Sequence, residues 1–191
     1  MRIAEKYFTI SRDKKSDINE HMSTLLKYAK ECKHITEMGV RDIVSTWAFL
    51  YSKPAKLICY DIYKPKKNLD LVYDSAKEEG IKFSFILENV LDVTLDENDL
   101  LFIDTWHKYG QLKLELKLHS NSVRKYIILH DTTKFESEDE PGRGKYSDER
   151  TATPGKQGLW LAVTEFLEDN ENWSLKERFV NCNGLTVLER V

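Results

Sequence analysis

The sequence predicts an α/β fold: a doubly wound, mostly parallel sheet of seven strands ending in a C-terminal antiparallel hairpin. Three observations carry this. Apolar runs of strand length alternate with segments of helical period, the β-α-β rhythm of a parallel sheet. The runs at 56–63, 99–104 and 124–131 are largely apolar, as strands covered on both faces are. The chain finishes in two strand-like stretches, 173–180 and 184–190, joined by Asn181-Cys182-Asn183.

Taken in order, residues 1–15 are polar and weakly patterned and read as an arm. Ser16 or Asp17 can cap a helix in which Ile18, Met22, Leu25, Leu26 and Ala29 recur at helical spacing. Residues 34–38 form the first strand. Residues 41–52 form the first crossover helix, with Ile43, Val44, Trp47, Ala48 and Leu50 on its apolar face and Pro54 closing it. The second strand, 56–63, ends near Asp61. A helix over 68–79 stops at Gly80. Strands follow at 81–87, 99–104 and 124–131, with a helix at 109–118 between the last two. A polar loop, 132–157, reads as a mobile segment over the site. A last helix, 158–169, precedes the hairpin. With no repeat and no linker, residues 1–191 read as one domain, 1–31 being its arm and first helix.

Composition narrows the function. Charged residues make up 32% and hydrophobic ones 41%, which suits a soluble globular protein. A net charge of −3 gives no basic field for nucleic acid. No apolar run reaches the length of a membrane span, and the first residues lack a signal-peptide core. Cys32, Cys59 and Cys182 are widely spaced without a CxxC pair, which argues against a zinc cage. The cytoplasm is the expected compartment.

Chemistry gathers where strands end. Glu37 and Gly39 close the first strand, Asp61 the second, Asp104 the fourth and His130-Asp131 the fifth. A parallel sheet places all of these on one rim, where ligands bind in open α/β folds. Asp104 and Asp131 offer hard oxygens to a cation such as Mg²⁺, with His130 a third donor or a partner of the donors. His107, three residues past Asp104, suits a general base. Each has a structural alternative: His107 as a helix cap, His130 as a tie between loop and sheet, Trp106 as packing. His21, His34 and His119 read as structural or solvated, and the acidic run 136–140 as a solvated loop. Arg143, Lys145, Arg150 and Lys156 could meet an anionic substrate such as a nucleotide-sugar, though loop solvation explains them as well.

Glu37-x-Gly39 followed by Asp61 resembles the cofactor site of class I S-adenosylmethionine-dependent methyltransferases, with their Rossmann-like sheet. The resemblance covers residues 30–191. It implies that Glu37, Gly39, Val40 and Ser45 run along the methionine part. It further implies that Asp61 and Ile62 meet the ribose, that Glu88, Asn89 and Val90 border the adenine, and that Asp104 closes the site. Phe102-Ile103-Asp104-Thr105-Trp106-His107-Lys108-Tyr109 and Ile128-Leu129-His130-Asp131-Thr132 resemble segments of the macrocin O-methyltransferase and cephalosporin-hydroxylase-like group. So do Gly158-Leu159-Trp160 and the hairpin around Asn183-Gly184. Asp42 and Ile43 stand where a second glycine is usual, and Thr105 where a glycine is common. The resemblance implies O-methylation of a small hydroxylated or sugar-containing acceptor, metal-assisted in some relatives, with His107, Asp104 and His130 catalytic. A homodimer is the default oligomer. A non-catalytic module of the same fold is the alternative. A nicotinamide enzyme is disfavoured by the absent GxGxxG, and a base-flipping methyltransferase by the missing basic face.

Overall fold

The computed structural model describes residues 1–142 and 148–191; the predicted Arg143 and Lys145 lie outside the described residues. Seven strands form one sheet in the order β3-β2-β1-β4-β5-β7-β6. These are β1 (His34–Met38), β2 (Lys56–Asp61), β3 (Lys82–Leu87), β4 (Asn98–Ile103), β5 (Val123–His130), β6 (Trp173–Phe179) and β7 (Leu185–Arg190). The first five are parallel, and β7 runs antiparallel to both β5 and β6. The order reverses between β1 and β4, which opens a crevice at their carboxyl ends.

Alternation along the strands divides the core in two. Ile35, Leu57, Cys59, Leu100, Phe102 and Ile128 face one layer of helices. That layer comprises α1 (Ile3–Asp13), α2 (Met22–Ala29), α3 (Thr46–Ser52) and α4 (Leu69–Glu79). Met38, Ile58, Tyr60, Leu101, Ile103, Ile127 and Leu129 face the other. There α5 (Tyr109–His119) and α6 (Leu159–Asp169) pack together. Helices on both faces explain why the strands read as nearly unbroken apolar runs.

Two expectations need correction. Residues 1–15 are not an arm. Most of them form α1, which buries Ala4 and Phe8, and Tyr7 stacks on Trp47 with ring centroids 4.7 Å apart. Its apolar positions, Ile3, Ala4, Tyr7 and Phe8, lie one helical turn apart among charges. The helix expected over 41–52 begins only at Thr46. Arg41 and Ile43 hold left-handed backbone, φ +44° and +59°, which no helix tolerates. The amides of Val40 and Arg41 turn instead to Asp61 Oδ2, at 2.8 and 2.9 Å.

The hairpin tip also serves the rim. Thr133 and Lys134 donate backbone N–H bonds to the Asn183 carbonyl, both at 2.9 Å. A Cβ on Gly184 would stand 2.4 Å from the Thr133 nitrogen. The tip therefore lies directly against the loop that follows β5.

Candidate functional site

The crevice is a cleft of about 1130 Å³. Gly39, Arg41, Asp42, Asp61 and residues 62–64 form one side with Glu88, Asn89 and Val90, and Asp104, Thr105, Trp106 and His107 form the other. The described part of the 132–157 loop adds Glu140, Asp148, Glu149 and Arg150. Gly39, Asp61, Ile62, Glu88, Asn89, Val90, Asp104 and His107, separated by up to dozens of residues, thus share one cavity.

Glu37, Val40 and Ser45 sit beneath this surface. Glu37 is fully buried and accepts from Ser45 Oγ at 2.5 Å, Thr46 Oγ1 at 2.7 Å and Cys59 Sγ at 3.0 Å. Burial pushes its carboxyl up to about 7, against the pull of those donors. Its geometry makes it a brace joining β1, β2 and the start of α3. Gly39 also has an internal reason: a Cβ there would stand 2.0 Å from the Asp104 carbonyl oxygen, so the close approach is between strand ends. Asp61 is half-buried on the cleft, and its oxygens accept the Val40, Arg41 and Tyr63 amides.

A compact acidic centre lies at the other end. Asp104, His107 and Asp131 each offer one donor atom, all within 4.8 Å of one another. His107 Nε2 stands 3.3 Å from Asp104 Oδ1 and 3.0 Å from Asp131 Oδ2, and its Nδ1 is 3.1 Å from Glu140 Oε2. Its ring lies flat on Phe135, 4.8 Å between centroids. Burial disfavours the imidazolium of His107, but hydrogen bonds to Asp104, Asp131 and Glu140 outweigh it and push it up to about 11. His107, and not the His130 expected from the sequence, completes the compact set that could hold an ion, while His130 lies against the same two carboxylates. His130 Nε2 is 3.0 Å from the Asp17 carbonyl, which can only accept, so that nitrogen carries a proton. Its Nδ1 faces Asp104 at 3.1 Å and Asp131 at 3.2 Å. Burial again opposes charge, yet the two carboxylates push His130 up to about 10. Burial would raise Asp104 and Asp131, but the same imidazoliums hold both well below the usual carboxylate range.

The donor set suits a divalent cation. Two carboxylates with an imidazole that would give up its Nε2 proton on binding fit a borderline or hard ion, and buried Asp131 Oδ1 has no hydrogen-bond partner. Asp131 itself holds left-handed backbone, φ +59°, a strained conformation typical of functional positions.

Several contributors escaped the sequence reading. The run 136–140 is no solvated loop: Glu140 meets His107, Asp139 accepts from the Tyr109 and Gly158 amides, and Glu136 pairs with Arg178. Of the basic set, Arg150 is held by Asp148 and Asp92, and Lys156 by Glu165. Buried Glu115 accepts from Thr105 Oγ1 at 2.6 Å and from Gln111 Nε2, which also lines the cleft, at 2.7 Å. Gln111, Glu115 and His119 are spaced i, i+4 beside Leu112 and Leu116, a polar row on a buried face that was legible in the sequence.

No protein-family model matches the sequence, and no curated protein matches it. Solved structures do match the fold. A Podospora anserina methyltransferase bound to SAH superposes with a TM-score of 0.63 at 16% identity, over 99% of this chain and 88% of that one. A Bacillus cereus O-methyltransferase in complex with SAH gives 0.58 at 11% identity, over 99% and 90%. A Geobacter sulfurreducens methyltransferase gives 0.60 at 12%, over 99% and 88%. The chain therefore shares the fold of these methyltransferases, with a seven-stranded sheet ending in an antiparallel hairpin.

Proposed function

We propose that the chain is an S-adenosylmethionine-dependent O-methyltransferase acting on a small hydroxylated acceptor, with a divalent cation held by Asp104, Asp131 and His107. One observation carries the reading. The cleft at the strand-order reversal joins Asp61 and residues 88–90 to the acidic centre within one cavity of about 1130 Å³. That exceeds the usual pocket for one small ligand and leaves room for cofactor and acceptor together.

S-adenosylmethionine supplies a methyl group already activated on a sulfonium sulfur, so the protein's task is to bind, align and exclude water. Asp61 presents carboxylate acceptors to vicinal ribose hydroxyls, while Ile62 and Val90 offer apolar walls to the adenine bordered by Glu88 and Asn89. A bound divalent cation lowers the pKa of an acceptor hydroxyl. Glu140 and Phe135 fix the plane of His107, and His130 fixes Asp104 and Asp131. The likeness of residues 102–109 and 128–132 to the macrocin O-methyltransferase group supports a sugar-bearing acceptor.

One observation favours a second reading, a binding module without transfer: both imidazoles face carboxylate or carbonyl acceptors on each nitrogen, so neither has a nitrogen left over for an acceptor. Calorimetry with SAH and Mg²⁺ tests both. The enzyme reading expects SAH binding weakened at least tenfold in Asp61→Ala, as for loss of a charged hydrogen-bond acceptor, and Mg²⁺ binding lost in Asp131→Ala. Absence of SAH binding at high protein concentration sinks both. SAH binding without Mg²⁺ binding, and without transfer to any hydroxylated acceptor tried, favours the module.

A further inference from the structure

We infer that Glu115 holds a single water molecule against the indole N–H of Trp106, and that this bridge fixes the aromatic wall which the loop after β4 presents to the cleft. The inference goes beyond the methyl-transfer reading. It makes Glu115 a positioning residue for whatever the cleft takes beside the acidic centre. Behind Thr105, Trp106 and His107, which line the cleft, lies a second, small cavity. It leaves about 10 Å³ for the centre of a water molecule, room for one. Glu115 and His130 close it from within, and its remaining walls are aliphatic.

Two buried polar atoms of residues on this cavity, Trp106 Nε1 and Glu115 Oε2, have no hydrogen-bond partner among the described residues. Glu115 is fully buried, and both of its described donors, Thr105 Oγ1 at 2.6 Å and Gln111 Nε2 at 2.7 Å, go to Oε1. The imidazoles fill neither place. Those nitrogens of His107 face Asp104, Asp131 and Glu140, and those of His130 face Asp104, Asp131 and the Asp17 carbonyl. An indole N–H only donates, whereas a carboxyl oxygen accepts when ionised and donates when protonated. Burial pushes Glu115 up to about 7, so both forms occur near neutrality. One water suits either form: it takes the indole proton on its oxygen and turns a hydrogen or its second lone pair toward Oε2. The Thr105 hydroxyl, having given its proton to Oε1, keeps lone pairs for a third bond, and three is the usual number for a buried water. Lys108 Nζ lies over the indole ring, 4.1 Å from its centroid. The ring is thus held on a face by a cation and at its edge by the water. Thr105 and Gln111, both on the cleft, hang from the same carboxyl.

Nuclear magnetic resonance of the nitrogen-labelled full chain tests this without SAH, metal or acceptor, so its outcome is separate from that of the methyl-transfer reading. The indole N–H of Trp106 is assigned by its loss in Trp106→Phe, and the backbone amide spectrum reports that each variant is folded. In the wild type the indole N–H should show a dipolar cross-peak to water, told from chemical exchange by its sign in the rotating frame. Its order parameter should be about 0.85, as for rigid groups. Glu115→Gln keeps an oxygen for Thr105 and Gln111 and an N–H for the water, and should retain both signals. Glu115→Leu should lose the cross-peak and bring the order parameter below about 0.6. Absence of the cross-peak in the wild type overturns the water site, and that measurement needs no variant to fold. A cross-peak that persists in Glu115→Leu overturns the part given to Glu115, and an indole that stays rigid there overturns the positioning.

Discussion

At the scale of single residues, two buried carboxyls define how the protein responds to pH. Glu37 and Glu115 are each fully buried, and burial pushes each up to about 7. A carboxyl raised in the folded state binds its proton more tightly there, so its stabilisation is complete below the unfolded value near 4.5 and is lost as pH rises towards 7. Buried His21, His34 and His119 are lowered by desolvation and act in the opposite sense, their contribution being lost as pH falls below the ordinary imidazole value. The clean observable is therefore a difference. Glu115→Gln mimics the protonated acid, and its stability relative to the wild type should rise between pH 5 and 8 by up to about 3 kcal/mol, from the rise of the carboxyl to about 7. Urea unfolding at the two pH values measures it, and a difference that stays flat refutes the raised carboxyl. Glu115 stood in the polar row on the buried face of α5, but the burial of Glu37 was not legible. Glu37 could be seen to end a strand, but the three donors beneath it come from residues 45, 46 and 59, which only the fold brings together.

At the scale of elements, the N-terminal helix shows how a weak sequence signal becomes structural. The pairs Ile3-Ala4 and Tyr7-Phe8 give α1 a narrow apolar stripe set in polar and charged residues, too short to stand out by period alone. Its stability comes from tertiary packing on α3, where Phe8 lies 5.1 Å from Tyr51 and Tyr7 stacks on Trp47. Phe8→Ala should cost about 3–5 kcal/mol, seen as a lower urea midpoint with unchanged slope. A cost below about 1 kcal/mol would mean that α1 does not pack as described. The delayed start of α3 has the converse cause. Residues 41–45 carry a helical apolar pattern, yet Arg41 and Ile43 hold left-handed backbone, which breaks any helix there, while the Val40 and Arg41 amides bind Asp61. Periodicity reads side chains and is blind to where backbone donors go.

Across the whole molecule, the sheet was the most legible feature and the lateral ties the least. Five parallel strands, the hairpin and the rim of Asp61, Asp104 and Asp131 follow from apolar runs with acids at their ends. The partners that give the rim its chemistry do not. Asp17 reaches His130 across 113 positions and Glu140 reaches His107 across 33, and no local pattern encodes such separations. The same limit applied to Gly39, whose side-chain-free approach serves the Asp104 carbonyl. Both imidazoles meet both aspartates, His107 from the loop after β4 and His130 from the end of β5, where Asp17 also holds it.

The hairpin tip at Asn183 and Gly184 makes the acidic centre a separately opening unit. Thr133 and Lys134 hang from one carbonyl of that tip, and Asp131, two residues earlier, holds a backbone conformation that must be imposed from outside. Local openings in proteins occur at free energies below global unfolding. Release of the tip should therefore free the two amides together and relax Asp131 while the parallel strands stay protected. Native-state hydrogen exchange should show Thr133, Lys134 and Gly184 exchanging as one group, ahead of Ile127 and Ile128 in β5. Their exchange only with global unfolding would show that centre and sheet open as one. A ligand that needs Asp131 in place would then slow the exchange of amides on a hairpin it does not touch.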